Sequence, residues 1–389
     1  VTVGRVRIDG EAAAGKDDPQ SALALTAGKP YYRPQQVLDR DSLERRYRNL
    51  GYQRATVEAR TEPAGEGVVD LVYVVHAGPQ TKVDHVLVSG ASRTSPDLIR
   101  REVTLRPGEP LGYDAVLDSQ QRLSGLGLFR RVRVSEVPHG ADEVNRDVLV
   151  EVEEASPTAL TYGGGLEVGR FTGVAADGTA TERLDVAPRG FFEVTRRNLW
   201  GKNRSVSLLT SASLRRTDPG VEADPSERSG YGLNQYRVVG TFREPRAFGS
   251  AGDAQLSAFV ERGIRSSFNF DRRGVRGEYA RRFSSNRTTL LGRYAYDNTK
   301  LFDTKIATAD QLLIDRLFPQ VTLSTLFTSV LRDSRNDVLD PERGHVLGAD
   351  VEVAVPALGS EVGFTKGFAQ AFTYRRLPGV RPFVLAGGV

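Results

Sequence analysis

Hydrophobic and polar positions follow two rhythms along this chain of 389 residues. Up to about residue 157, strand-like alternation is broken by stretches with helical spacing. From about residue 158 the helical spacing vanishes. Alternating segments on the order of ten residues then follow one another, parted by Gly, Pro, Asp and Asn, as strands and turns require.

The first region repeats itself. VGRVRIDG (3–10) resembles KVDHVLVSG (82–90), and LTAGKPY around Gly28 resembles LRPGEPL around Gly108. LERRYRNLGYQRATVEA (43–59) parallels QQRLSGLGLFRRVRVSE (120–136), and each copy closes on an alternating strand and a proline, Pro79 and Pro157. The offset between the copies stays between 76 and 80 residues. In the second copy Ser95 is placed as a helix N-cap, with Pro96 and Asp97 in the first turn and Leu98, Ile99 and Val103 on the apolar face. A second helix over about 112–125 offers Val116, Leu117, Leu123 and Leu126 for burial. Gly127 then stands where a helix ends, because glycine tolerates the left-handed cap conformation. Phe129, Val132 and Val134 open a hairpin that returns through Val148–Val152. The order is β-α-α-β-β, in two domains, 1–79 and 80–157. SGLGLFRRV (124–132) is therefore a helix-to-strand joint. A dinucleotide fingerprint needs strand before glycines before helix, and the third glycine position is Arg130.

In the second region, 158–389, SVSLLTSASL (205–214) puts Val206, Leu208, Ala212 and Leu214 opposite Ser205, Ser207, Ser211 and Ser213. RTTLLGRYAYD (287–297) puts Leu290, Tyr294 and Tyr296 opposite Arg287, Arg293 and Asp297. HVLGADVEVAVP (345–356) puts Leu347, Ala349, Val351, Val353 and Val355 opposite Val346, Asp350 and Glu352. A soluble sandwich and a transmembrane barrel both alternate, with opposite senses. Segment length suits a tilted membrane strand. Aromatic residues near segment ends, among them Phe191-Phe192, Tyr294 and Tyr296, suit interfacial girdles, and the polar faces are rich in charge. These features favour an antiparallel transmembrane β-barrel. The expected strands are 159–170, 188–197, 203–215, 231–244, 253–264, 268–283, 286–299, 316–331, 344–356, 361–374 and 381–389, about eleven. An odd count that stops inside a strand at Val389 points to an incomplete barrel, truncated at its C-terminus. The first residue is Val1 and no signal sequence follows it, so any such segment is removed or missing.

Composition narrows the chemistry. There is no cysteine, which excludes disulfides, thiolate catalysis and Cys-ligated metals. No run of 18 apolar residues occurs, so no transmembrane helix is expected. The net charge is only +4 and no nucleic-acid motif accompanies it, so no nucleic-acid partner is expected. The four histidines, His76, His85, His139 and His345, lack metal-ligand spacing, and no nucleophile elbow or Walker motif occurs. Nothing calls for an enzyme, a cofactor or a metal. Asp333-Ser334-Arg335-Asn336-Asp337 is a poor calcium loop, since Arg335 stands where a ligand is needed.

Each repeat resembles a POTRA domain, and tandem POTRA-like units followed by a barrel resemble the BamA/TamA superfamily of outer-membrane assembly factors. GFFEVTRRNLWGKNRSVSL (190–208) is similar to its early-barrel strand-turn pattern, and YRVVGTFREPRAFG (236–249) to its Glu-Pro corner. LRDSRNDVLDPERGHVLGADVEV (331–353) is similar to its D-x-R/T-x-x-x-x-x-P-x-x-G signature, through Asp333, Arg335, Pro341 and Gly344. The V-R-G-[FY] loop motif of the family is not present.

The resemblance implies a periplasmic POTRA arm, a barrel in a bacterial or organellar outer membrane, and help in inserting other barrels. The partners it implies are unfolded outer-membrane proteins, periplasmic chaperones or accessory lipoproteins, and outer-membrane lipid. The alternatives are a two-partner secretion transporter and a passive porin or receptor. Gly163, Gly164 and Gly165 open the barrel region, either as a linker bend or as a weakly paired first strand forming a lateral seam. Arg332, Asp333, Arg335, Asp337 and Arg343 form either a lumenal charge network across strands or a solvated turn.

Overall fold

The computed structural model describes residues 1–10, 19–139, 142–174, 180–216, 231–264, 269–283, 287–302, 321–377 and 383–389. They form two compact units, Val1–Ser156 with Trp200–Lys202, and Pro157–Leu199 with Asn203–Val389.

The first unit holds two three-stranded sheets. In the first repeat β1 (Thr2–Gly10) runs parallel to β3 (Val68–His76), which pairs antiparallel with β2 (Thr56–Gly65), and α1 (Arg33–Asn49) packs on them. In the second, β4 (Lys82–Ser89), β6 (Asp142–Glu154) and β5 (Phe129–His139) repeat that order, with α2 (Pro96–Glu102) and α3 (Tyr113–Gly125) packed on them. Where the second repeat has α2, the described residues of the first hold only a 3-10 turn, Pro19–Ala22.

The cores match position for position. Val3, Leu43, Leu71, Tyr73 and Val75 fill the first, and Val83, Leu123, Val148, Val150 and Val152 fill the second. Between Leu43/Leu123 and Gly51/Gly127 the offset falls from 80 to 76, and α1 is 17 residues long against 13 for α3. The difference is about one helical turn, so the buried stripe keeps its direction. Gly10 and Gly90 have φ of +106° and +86°, and a Cβ there would lie 2.2 and 2.0 Å from the carbonyl oxygens of Val75 and Val152. Only glycine lets the chain leave its first strand so close to the central one. A buried polar side chain also recurs. Asp39 accepts the N–H groups of Ala24 and Leu25 at 3.0 and 2.8 Å, and Ser119, at the same place in α3, accepts the Thr104 N–H at 3.0 Å.

Two local expectations change. Ser95 occupies the N-cap of α2, yet its side chain makes no capping hydrogen bond. Leu117 is 41% exposed, because it falls beside the stripe that Leu123 and Val116 turn towards the sheet.

The second unit is one antiparallel sheet of eleven strands in chain order. These are β7 (Thr158–Val174), β8 (Ala180–Leu199), β9 (Arg204–Arg216), β10 (Tyr231–Glu244), β11 (Asp253–Ile264), β12 (Asn269–Phe283), β13 (Thr288–Phe302), β14 (Thr322–Asp333), β15 (Arg343–Ala354), β16 (Phe364–Leu377) and β17 (Phe383–Gly388). The sheet is not closed, and β7 and β17 are its edges. The connections at the end where β7 begins run from the tight one between Leu199 and Arg204 to the longer one between Asp333 and Arg343, and those at the other end reach the span between Phe302 and Thr322. Phe191, Phe192, Tyr294 and Tyr296 lie inside strands rather than at their ends.

Candidate functional site

The sheet of the second unit exposes the wrong face for a water-soluble protein. Along β15, Leu347 and Val351 are 48% and 47% exposed, while Asp350 and Glu352 on either side of Val351 are half-buried. On β14, Leu326 and Val330 are exposed and Phe327 and Ser329 are not. The apolar face continues through Leu208, Leu256, Val260, Val275 and Tyr294. The two buried hydrophobic clusters of the described residues both lie in the repeats. An exposed apolar face this wide needs an apolar surrounding.

The opposite face carries charge in rows that cross strands. Glu278, Arg293, Phe327, Glu352 and Lys366 stand side by side on β12 to β16, each directly opposite the next. Arg293 and Glu278 form an ion pair with 2.9 Å between Nε and the carboxylate, and the Arg293 guanidinium lies 4.7 Å from the Phe327 ring centre. Lys366 and Glu352 are 4.0 Å apart. Nearer the other end, Arg272 bonds Asp297 at 3.1 Å, and Arg215 reaches over the small Ala187 to Glu167 at 2.7 Å. Gly274 makes room for the Arg272–Asp297 pair, since a Cβ there would come within 2.3 Å of the Asp297 carboxylate. Such pairs satisfy each other where one face is shielded from bulk water. Sequence reading missed this row. Its members are far apart along the chain, and only strand register aligns them. Arg293 and Glu352 were legible singly, as polar positions in alternating segments.

The five charged residues expected to cross strands do not form that row. Asp333, the last residue of β14, pairs at 2.6 Å with Arg335 of the β14–β15 connection. Asp337 accepts the N–H groups of Leu339 and Asp340 at 2.7 and 3.0 Å, which holds its carboxyl below the usual range. Arg332 lies on the other face of β14 from Asp333, and Arg332 and Arg343 form no ion pair among the described residues. The physical reason is the length of the connection, which lets neighbouring groups satisfy one another locally.

Gly163, Gly164 and Gly165 lie within β7, not in a linker. β7 pairs with β8 along all of its 17 residues, so the glycines leave no gap on that side. Gly163 lies under the Phe191 ring of β8, whose nearest atom would be 2.5 Å from a Cβ. The free side of β7 is its outer edge, which no described strand covers. Edges are also open in the repeats, where β2 and β5 border their sheets. Each such edge presents unpaired N–H and C=O groups that can take another strand.

The two repeats meet through polar contacts. Asn49, the last residue of α1, accepts the Asp114 N–H at 2.8 Å and donates to the Asp114 carboxylate at 2.6 Å. It thereby caps α3, whose own N-cap position is Gly112. The Thr81 N–H donates to the Gly51 carbonyl at 2.8 Å, the Gln80 amide to Leu50 at 2.8 Å, and the Gln53 amide to Leu111. Glu154, 6% exposed at its side chain, closes the turn after β4. Burial pushes its carboxyl up. The Thr94 and Ser92 hydroxyls, the Arg93 N–H and the Arg93 guanidinium outweigh that and bring it down to about 2.

Asp84, His85 and Asp147 gather on the second repeat, with His85 Nδ1 3.3 and 3.2 Å from the two carboxylates. Asp147 also accepts the His85 N–H at 3.1 Å, as Asp70 accepts the Arg5 N–H at 2.7 Å in the first repeat. Both acceptors sit at the bulge where the parallel pair shifts register. That shared duty explains the cluster without a ligand.

The description of the Omp85 superfamily domain matches residues 198–388, and that of the POTRA domain, the surface antigen variable number repeat, matches residues 1–78 and 81–155. The outer membrane protein assembly factor BamA of Neisseria meningitidis serogroup B is 24% identical over 91% of this chain and 42% of its own length. BamA of Nitratidesulfovibrio vulgaris is 24% identical over 85% of this chain and 37% of its own length. The chain thus spans about two-fifths of the length of these curated relatives. The crystal structure of BamA from Haemophilus ducreyi lacking POTRA domains 1–3 superposes with a TM-score of 0.63 over all of this chain and 70% of that one, at 16% identity.

Proposed function

The chain belongs to the Omp85 superfamily, with two POTRA repeats ahead of an incomplete Omp85 sheet, and from that premise we propose that it assembles β-barrel proteins into an outer membrane. One observation carries the reading. Two POTRA repeats whose edge strands β2 and β5 carry unpaired hydrogen-bonding groups precede a sheet whose apolar face is exposed, as the wall of a lipid-embedded barrel is. In hydrocarbon each unpaired backbone group costs several kcal/mol, on the order of the penalty for burying an amide without a partner. An edge there takes up the edge of an unfolded client, whose own strands then pair in turn. The role needs no nucleophile, metal or nucleotide, since hydrogen bonding and lipid burial of the client supply the driving force.

In this reading the protein sits in the outer membrane with its repeats in the periplasm. The β2 and β5 edges hold clients as added strands, and unfolded barrel proteins, the chaperones or lipoproteins that deliver them, and lipid are its partners. The seam begins at β7, with Gly163, Gly164 and Gly165 inside the strand that clients meet.

The test is reconstitution. Liposomes carrying the full chain should convert a urea-unfolded barrel client to its heat-modifiable folded form faster than empty liposomes do. Equal rates with correctly inserted protein would overturn the proposal.

A further inference from the structure

The apolar face of the sheet is not uniform, and one part of it is built for something other than acyl chains alone. Across β10 to β13 the register aligns Tyr236, Arg262, Asp271 and Lys300 in one row. The next row, two residues along each strand, is Val238, Val260, Arg273 and Asn298. Beyond it lie Gly240, Ala258, Val275 and Tyr296, without charge. Two hollows of about 440 and 280 Å³ adjoin there and share Val260, Arg273 and Asn298. Val238, Ala258 and Val275 line the larger, and Tyr236, Asp271 and Lys300 line the smaller.

The charges on this face do not cancel. Arg262 and Asp271 neutralise each other in a two-pronged pair at 2.6 and 2.7 Å. Arg273 and Lys300 are exposed and form no ion pair among the described residues. Glu261 and Arg272 border the smaller hollow from the opposite face, directly across from each other. Two cations are left over, one of them a row inside the apolar band. An unpaired charge on a lipid-facing surface is costly away from the interface, so its presence calls for a counter-charge from the surroundings.

We propose that these hollows hold one membrane lipid whose phosphate-bearing head group has a net negative charge, with the phosphate between Arg273 and Lys300 and an acyl chain over Ala258 and Val275. Asn298, whose amide donates to the Thr322 hydroxyl at 2.9 Å, borders the same head group. The site lies at the sheet end opposite Thr158, where the longest connections are, so the lipid belongs to the leaflet at that end. This rests on the membrane reading above, because only a sheet embedded in lipid meets such a ligand.

The experiment uses the full chain in liposomes and in non-ionic detergent. Flotation with liposomes first reports insertion. Native mass spectrometry then counts bis-phosphorylated lipid A retained per protein, against neutral phosphatidylcholine, for the wild type and R273Q/K300Q. Each cation near a membrane surface contributes about fivefold in affinity, so the double variant should lose lipid A by about tenfold or more. Phosphatidylcholine retention should not change, and the variant should keep the heat-modifiable migration of the wild type. Equal retention of lipid A by both proteins, with insertion intact, overturns the lipid site and leaves the membrane reading standing. Full displacement by inorganic phosphate, whatever lipid is present, also overturns it, as a free-anion site. Failure to insert removes the membrane reading and this proposal together.

Discussion

The repeats and the sheet use the same local rule with opposite outcomes. In the repeats the apolar side of each strand turns inward, and Val83, Val148 and Val150 are all but fully buried. In the sheet the apolar side turns outward, and Leu208, Val260 and Val351 stay exposed while charged rows occupy the sheltered side. The repeats bring helices to cover one face. The sheet has none to bring, so the bilayer takes their place. The same substitution therefore reads differently in the two regions.

The largest contrast should come from the cores. Leu43→Ala and Leu123→Ala remove fully buried side chains and should each cost about 2–5 kcal/mol in the unfolding of their repeat, followed by urea titration. Leu208→Ala on the sheet should cost well under that in detergent. Comparable losses would break the comparison.

A charge sharpens it from the other side. Val351→Arg should lower the stability of the inserted sheet by about 2–4 kcal/mol if Val351 lies near the bilayer midplane, and by less near an interface. The repeats should keep their unfolding midpoint. Reversible unfolding in liposomes measures the first quantity, and denaturation followed at the repeats measures the second.

Smaller effects separate the two repeats from each other. Glu154 has a folded pKa lowered to about 2 from an ordinary carboxylate value of 4.5. A lowered folded value contributes stability that is present above the unfolded value. It is lost as the pH falls from about 4.5 to about 2. Glu154→Gln should destabilise the second repeat by about 1–3 kcal/mol at neutral pH, through its unsatisfied donors, and flatten this acid limb. The first repeat should not respond. An unchanged acid limb in the variant would contradict the assignment.

The smallest expected effect tests the joint. Asn49→Ala removes the cap that one repeat lends to the other and should cost about 1 kcal/mol. A double-mutant cycle with Asp114→Ala should show coupling of about 0.5 kcal/mol or more, whereas additive losses would mean that the contact carries nothing.

The repeat was legible because its landmarks are local. A glycine that ends a helix, Gly51 or Gly127, and a glycine that leaves a strand, Gly10 or Gly90, need only their own neighbourhood. The position that differs between the copies was also visible, since Asn49 stands where the second copy has Gly125. Its purpose was not, because the group it caps lies 65 residues away. The eleven strands were legible for the same local reason, each from its own alternation. The charge row was not. Arg332 to Arg343 drew attention because they are close in sequence, and closeness in sequence is what lets such groups settle within a turn. Glu278, Arg293, Glu352 and Lys366 meet only when four neighbouring strand pairings hold their register.

The amino-acid order by itself determined the period of every strand, the glycine helix ends, the tandem repeat and the division into two regions. Those depend on the pleat and on backbone conformations within a few residues. Tertiary structure decided which side of each strand is sheltered, which charges face one another and which edges stay open. Each of these depends on partners brought in from distant parts of the chain, and period-two alternation is the same whichever face is turned outward.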